Sequence, residues 1–153
     1  HALGRPVAFM AKAELFEVPL LGRLIRALGA YPVRRGASDR EAIRTATATL
    51  EAGWATGVFL DGTRQANGRV NAPLPGAALL AARSGAPLLP VAILNSHRAL
   101  GSRQLWPRLL PIQLRIGTPI PPPISRRRAD LDATTALLQE RINALLDQGL
   151  QHP

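Results

Sequence analysis

Val58-Phe59-Leu60-Asp61-Gly62-Thr63-Arg64 is the stretch on which the fold of this chain turns, and the polar loop Gln65-Ala66-Asn67-Gly68-Arg69 follows it directly. Three apolar residues read as the end of a buried strand, Asp61-Gly62 marks a turn, and Thr63 and Arg64 come straight after it. A carboxylate, a flexible backbone position, a hydroxyl and a guanidinium thus fall on four consecutive residues at a strand's carboxyl end. In open α/β sheets that edge is where ligands bind. The planar fork of a guanidinium suits a phosphate or carboxylate, and Gly62 lets the backbone come close to a ligand. From these residues alone, an ordinary surface turn with an Asp–Arg pair is an equal alternative.

Working outward, the chain alternates strands and helices. Val7-Ala8-Phe9-Met10 reads as a short buried strand. Pro19 suits the first turn of a helix and Gly29 the position just past its end. Leu20, Leu21, Leu24, Ile25 and Leu28 make one apolar face, with Arg23 and Arg26 off it. That face reads first as core and second as a membrane-surface element. Ala30-Tyr31-Pro32-Val33 is a second extended segment, whose proline points to a sheet edge or a strand end. Ser38 with Glu41 forms a capping box for a helix to about Trp54, with Ile43, Thr47, Leu50 and Trp54 on its inner face. Gly57–Leu60 then delivers the opening stretch as a strand.

Beyond the loop, Pro75-Gly76 opens a helix through Leu79, Leu80 and Arg83, closed by Gly85. Leu88–Leu94 is a continuous apolar run that fits a strand buried on both faces. Ile112–Ile116 reads as a half-exposed strand, and Pro119–Pro123 as a stiff connector. Asp130 is expected to cap a last helix carrying Leu131, Leu138, Ile142, Leu145 and Leu146, ending before Gly149. Arg126-Arg127-Arg128 reads as its solvated lead-in. The expected architecture is α/β: a mixed, largely parallel sheet with helices on both faces. It is read as a single domain over residues 1–153, with loose ends at 1–5 and 149–153.

The opening stretch also resembles a known block. Phe59-Leu60-Asp61-Gly62-Thr63-Arg64 is similar to the Phe-Pro-Glu-Gly-Thr-Arg block of the glycerolipid acyltransferases, specifically the bacterial lysophosphatidic acid (1-acylglycerol-3-phosphate) acyltransferase family of the PlsC type. It departs twice, with Leu60 for Pro and Asp61 for Glu. Other blocks follow in the family's order. Phe9-Met10-Ala11-Lys12-Ala13-Glu14-Leu15-Phe16 resembles the Lys-x-Glu-Leu segment, and Gly29-Ala30-Tyr31-Pro32-Val33-Arg34-Arg35-Gly36 the Gly-x-x-Phe-Ile-x-Arg block. Ala86-Pro87-Leu88-Leu89-Pro90-Val91-Ala92-Ile93 resembles the Val-Pro-Val-Pro-Val-Ala block.

The resemblance implies acyl transfer from acyl-CoA or acyl carrier protein to the hydroxyl of 1-acylglycerol-3-phosphate, giving phosphatidic acid, with no metal or organic cofactor. It implies that Lys12, Arg35 and Arg64 surround the acceptor's phosphate, with Arg34 an alternative for Arg35. Asp61 would act within the turn, fixing Arg64 or contacting an acceptor hydroxyl, while Gly62 and Thr63 set backbone geometry. Leu88, Leu89, Pro90 and Val91 would line the acyl-chain path, although the run reads equally as core. The family's base is a His oriented by an Asp five positions on, upstream of the lysine segment, and no such pair occurs here: His1 would need Pro6, the lone His97 after the buried strand reads as structural or solvent-facing, and His152 sits in a tail expected to fray. No catalytic residue is therefore identified, the chain is expected to be truncated at its N-terminus, and it is expected to be inactive by itself. A catalytically inactive lysophospholipid- or acyl-carrier-binding domain of the same fold is the alternative.

Composition agrees with these classes. The net charge of +9 and pI of about 11.7 call for an anionic partner, whether nucleic acid, membrane surface or phosphorylated small molecule. Lys12 is the only lysine; the arginine excess reads first as genome base composition. At 4% aromatic content few stacking platforms exist, and the arginines are dispersed, which argues against nucleic acid. With no Cys there is neither a disulfide framework nor a thiolate metal site. No apolar run is long enough to span a bilayer; the acyltransferase resemblance, whose product is insoluble, implies work at the cytoplasmic face of the cell membrane, peripheral in this chain.

Overall fold

The computed structural model describes residues 4–33, 40–62, 65–99 and 108–151. The chain clusters into two compact units, His1–Val58 and Phe59–Pro153.

The first unit is built on a parallel sheet. Strand β1 (Val7–Lys12) lies between β2 (Ala30–Val33) and β3 (Ala55–Gly57). Phe9 pairs with Ala30 and Lys12 with Val33 on one side; Val7 pairs with Ala55 and Phe9 with Gly57 on the other. Parallel neighbours need helical crossovers, and two are present. A 3-10 turn (Ala13–Phe16) and helix α1 (Pro19–Ala27) join β1 to β2, and α2 (Arg40–Glu51) precedes β3. β2 is the sheet edge on which Pro32 is tolerated, as its sequence indicated.

Proline and glycine set the limits of α1. Pro19 stands in the first turn, and Gly29 takes φ 83° just after the C-cap Leu28. Inside the helix, Gly22 permits a close approach: its N–H donates to Val18 O at 2.7 Å, and a Cβ there would lie 3.0 Å from the Phe16 carbonyl carbon. The leucine face differs from the core expectation. Leu20, Leu24 and Leu28 are 82%, 56% and 67% exposed, because it is Gly22 that the helix buries. In α2 the deepest residues are Ala42 and Ala46, with Trp54 beyond the helix end and exposed.

The second unit contains α3 (Gly76–Ser84), β4 (Val91–Leu94), the short α4 (Ser96–Ala99), β5 (Gln113–Ile116) and α5 (Arg128–Gln151). Strands β4 and β5 pair antiparallel, from Val91 opposite Ile116 to Leu94 opposite Gln113. Helix α3 runs between Pro75 and Gly85 as its sequence indicated, with Gly85 left-handed at φ 71°. Its Ala77, Ala78, Leu80 and Ala81 join Ala92, Leu94, Ile120, Leu131 and Leu138 in the core.

Four expectations are corrected here. The strand expected over Gly57–Leu60 ends at Gly57, and Phe59 beyond it is 64% exposed. The run Leu88–Leu94 is a strand only from Val91, with alternating burial; Leu88 instead forms an isolated bridge to Ile120. Gly149 neither ends α5 nor belongs to a loose end: the helix continues to Gln151, and Gly149 is buried against Leu94. A Cβ there would lie within 3.0 Å of Leu94 Cγ, so glycine serves close helix-to-strand packing. Asp130, expected as the cap of the last helix, lies inside the first turn of α5, which starts at Arg128; it accepts the Ser125 hydroxyl, while Ser125 Oγ accepts the Arg127 N–H at 3.1 Å.

Candidate functional site

In the first unit the candidate residues fall at the carboxyl edge of the parallel sheet. Lys12 is the last residue of β1, in register with Val33 at the end of β2. The next residues in the chain are Arg34 and Arg35. These two, and the Lys12 side chain, lie outside the described residues, so of this group the structure supplies the strand ends. Parallel α/β sheets bind ligands at such ends.

The turn belongs to the second unit. The Gly62 N–H donates to Phe59 O at 3.2 Å, and Gly62 takes φ 65°, a left-handed conformation that favours glycine. Asp61 faces the returning loop: one carboxylate oxygen accepts the Asn71 N–H at 3.1 Å and the other the Ala72 N–H at 3.2 Å. The Leu74 N–H to Leu60 O bond, at 2.8 Å, completes the closure. Asp61 therefore has a defined structural task, distinct from the expected contact to an acceptor hydroxyl. Asp, Asn and Ser side chains that accept backbone N–H groups fix local loop geometry in this way. Thr63 and Arg64 lie outside the described residues; in the chain they are the two residues joining Gly62 to Gln65.

The loop is wired as well. Asn71 Nδ2 donates to Gln65 Oε1 at 3.2 Å and to Asn67 Oδ1 at 3.0 Å, and Asn67 Oδ1 also accepts the Arg69 N–H at 3.1 Å. Asn71 is the participant the sequence did not disclose. Its signal was the density of Asn and Gln between Gln65 and Asn71, which reads as generic polar loop. His97 stands against this loop, where a Cβ on Gly68 would come 3.1 Å from its Cγ. That packing suits the structural role its position suggested.

The four residues of the expected acyl path divide. Pro90 is fully buried and its carbonyl accepts the Gly117 N–H at 2.9 Å, which makes it core. Leu88 and Ile120 exchange both backbone hydrogen bonds, at 2.8 and 2.7 Å. Val91 begins β4, half-buried, and Leu89 is the exposed member at 37%.

Compared with known proteins, residues 1–94 match the profile of the family described as Acyltransferase. The chain belongs to the acyltransferase family. Similar relatives of this acyltransferase-family chain include a Bacillus subtilis 1-acyl-sn-glycerol-3-phosphate acyltransferase, 34% identical over 87 residues, covering 56% of this chain and 42% of that protein. A chloroplastic 1-acyl-sn-glycerol-3-phosphate acyltransferase of Brassica napus is 25% identical over 101 residues, covering 65% of this chain and 29% of that protein. This acyltransferase-family chain spans less than half the length of these two curated relatives. Among solved structures, the 1-acyl-sn-glycerophosphate acyltransferase PlsC of Thermotoga maritima superposes with a TM-score of 0.73 at 24% identity, covering 97% of this chain and 58% of that one. That likeness establishes the α/β acyltransferase fold.

Proposed function

We propose that the intact protein passes a fatty acyl group from a thioester, acyl-CoA or acyl carrier protein, to the free hydroxyl of 1-acylglycerol-3-phosphate. The observation that carries this is the family match over residues 1–94, joined by relatives whose names state that reaction. The hydroxyl oxygen attacks the thioester carbonyl, its proton goes to a general base, and the tetrahedral oxyanion collapses to the ester with release of the thiolate. No covalent enzyme intermediate is needed.

Lys12, Arg64 and Arg35, or Arg34 in its place, are assigned to the acceptor's phosphate. Arginine supplies bidentate contacts and lysine a mobile point charge. Asp61 holds the turn that precedes Arg64 in the chain, and Leu89 is the member of the Leu88–Val91 run best exposed to meet an acyl chain. The general base is not among the assigned residues.

Attachment to a membrane surface at its cytoplasmic face belongs to the same proposal. No helix among the described residues is long and apolar enough to cross a bilayer. The exposed leucines of α1, with Arg23 and Arg26 beside them, support contact with an anionic lipid surface instead. Because no His in the chain has an acid five residues on, a binding domain without turnover is the second reading. Incubating the full-length protein with 1-acylglycerol-3-phosphate and either thioester separates the two. Phosphatidic acid formed in proportion to enzyme supports the transferase, whereas bound lysophospholipid without product supports the binding domain.

A further inference from the structure

Helix α5 carries a polar stripe at a spacing of four, Gln139, Asn143 and Asp147, which places the three on one helix face. Each reaches the loop that follows the turn. The Asn143 amide pairs with the Val70 backbone in both directions: Oδ1 accepts the Val70 N–H at 3.1 Å and Nδ2 donates to Val70 O at 3.0 Å. Gln139 Nε2 donates to the same carbonyl at 3.0 Å. One residue earlier, the Arg69 guanidinium meets the Asp147 carboxylate through both oxygens, with Nη2 to Oδ2 at 3.2 Å. This fork raises the Arg69 pKa and lowers that of Asp147, chiefly through the hydrogen bond between them.

Val70 is followed by Asn71 and Ala72, whose N–H groups Asp61 accepts. Residues 69–72 are thus held from two sides, Arg69 and Val70 by α5 and Asn71 and Ala72 by Asp61, and Asp61 lies three residues before Arg64 in the chain. The geometry points to Gln139, Asn143 and Asp147 as positioning residues that hold the Asp61–Gly62 turn, which in the chain leads to Arg64, the residue proposed for an acceptor's phosphate. This rests on the proposed acyl transfer. None of the three is expected to touch substrate, and each acts through the loop.

A clamp of this kind differs from general packing in its consequences. Misplacing a phosphate ligand changes the handling of the acceptor while leaving the thioester alone, and displacement by about 1 Å can cost ~10²-fold in rate. A side-chain amide bonded to one backbone N–H and C=O also has a stringent geometry. Asp in place of Asn143 keeps the acceptor for the N–H but sets a carboxylate oxygen against Val70 O.

The test uses full-length protein and steady-state kinetics with acceptor and thioester varied in turn. Asn143→Asp and Asp147→Arg are each expected to lower kcat/KM for 1-acylglycerol-3-phosphate about tenfold or more, with the KM for acyl-CoA unchanged. The exchange Arg69→Asp with Asp147→Arg should recover most of the loss, since the pair is restored in reverse. Asp132→Ala, which breaks an exposed pair with Arg128 at the far end of the same helix, should behave as wild type. Wild-type acceptor kinetics in folded Asn143→Asp and Asp147→Arg, or equal losses for acceptor and thioester, would overturn the clamp. Hydrogen exchange over residues 59–74 gives a reading independent of activity. If wild-type protein transfers no acyl group, the proposed function falls, and exchange decides the clamp. Faster exchange at Asn71 and Ala72 in Asn143→Asp supports it, and unchanged exchange refutes it.

Discussion

The ring of Phe9 occupies the space in which a side chain on Gly57 would stand. The two residues are register partners on β1 and β3, and a Cβ on Gly57 would lie within 2.9 Å of Phe9 Cζ and nearer still to two other ring carbons. Gly57→Ala is expected to destabilise the first unit by ~1–3 kcal/mol, the usual cost of overpacking. Adding Phe9→Ala should return part of that loss. Denaturant unfolding of the four proteins in the cycle measures the coupling, and strictly additive effects would show that the ring yields freely.

Tyr31 supplies a test by pH. Its hydroxyl is buried without a hydrogen-bond partner among the described residues, and burial pushes its pKa from 10.0 up to about 12. Between those values the unfolded chain has lost the proton while the folded chain keeps it. Unfolding then releases a proton, so stability falls as pH rises from about 10 to about 12, and this residue adds no pH dependence below that window. Tyr31→Phe should flatten that alkaline limb and leave neutral-pH stability equal or slightly higher, since an unpaired hydroxyl is removed from the interior. Unfolding midpoints taken across the alkaline range decide it; parallel limbs for the two proteins would contradict the assignment.

Asp61 accepts two backbone N–H groups, so its variants should rank. Asp61→Asn keeps one acceptor and is expected to lose less than Asp61→Ala, which gives both exposed amides over to water at a cost of about 0.5–1.5 kcal/mol per bond. Thermal unfolding combined with exchange at Asn71 and Ala72 gives the order, and identical behaviour of Asn and Ala would remove the carboxylate from this role.

The leucine face of α1 makes a prediction about lipid. A fully buried leucine is worth ~1.5–3 kcal/mol, a gain not realised at Leu20, Leu24 and Leu28. Replacing these three by Ser should weaken partitioning onto phosphatidylglycerol vesicles at least tenfold while leaving the fold intact. Arg23→Glu with Arg26→Glu should weaken it further and reduce its salt sensitivity. Vesicle co-sedimentation is the measurement, and wild-type partitioning by the triple variant would assign the face to something other than lipid.

The elements that were legible in the sequence are those punctuated locally. Pro19 and Gly29 bounded α1, and Pro75 and Gly85 bounded α3, because proline and glycine act on the backbone at their own positions. Where an apolar pattern had to be assigned a partner, it misled. The α1 stripe was regular but nothing in it said what covers it, and Phe59 and Leu60 followed β3 in sequence without extending it. Gly149 looked like a helix stop, while its cause is contact with Leu94, far away in sequence. The polar stripe on α5 was invisible for the same reason. Gln139, Asn143 and Asp147 look solvated until Val70 and Arg69, roughly seventy residues earlier, are seen against them. The family blocks were legible because they are local strings.

The most direct test of the central assignment is Arg64→Ala in the full-length protein, with 1-acylglycerol-3-phosphate varied at saturating acyl donor. A guanidinium holding the phosphate equally in ground and transition states would on removal raise KM alone. One that also aligns the hydroxyl with the thioester would on removal lower kcat too. Arg64 follows the Gly62 turn by two residues in the chain, and both changes are expected. With a charge-assisted hydrogen bond worth roughly 1.5–3 kcal/mol, kcat/KM should fall at least tenfold. Arg64→Lys should regain only part, keeping the charge and losing the fork. Wild-type kcat and KM in folded Arg64→Ala would contradict the assignment and leave Val58–Arg64 a structural turn.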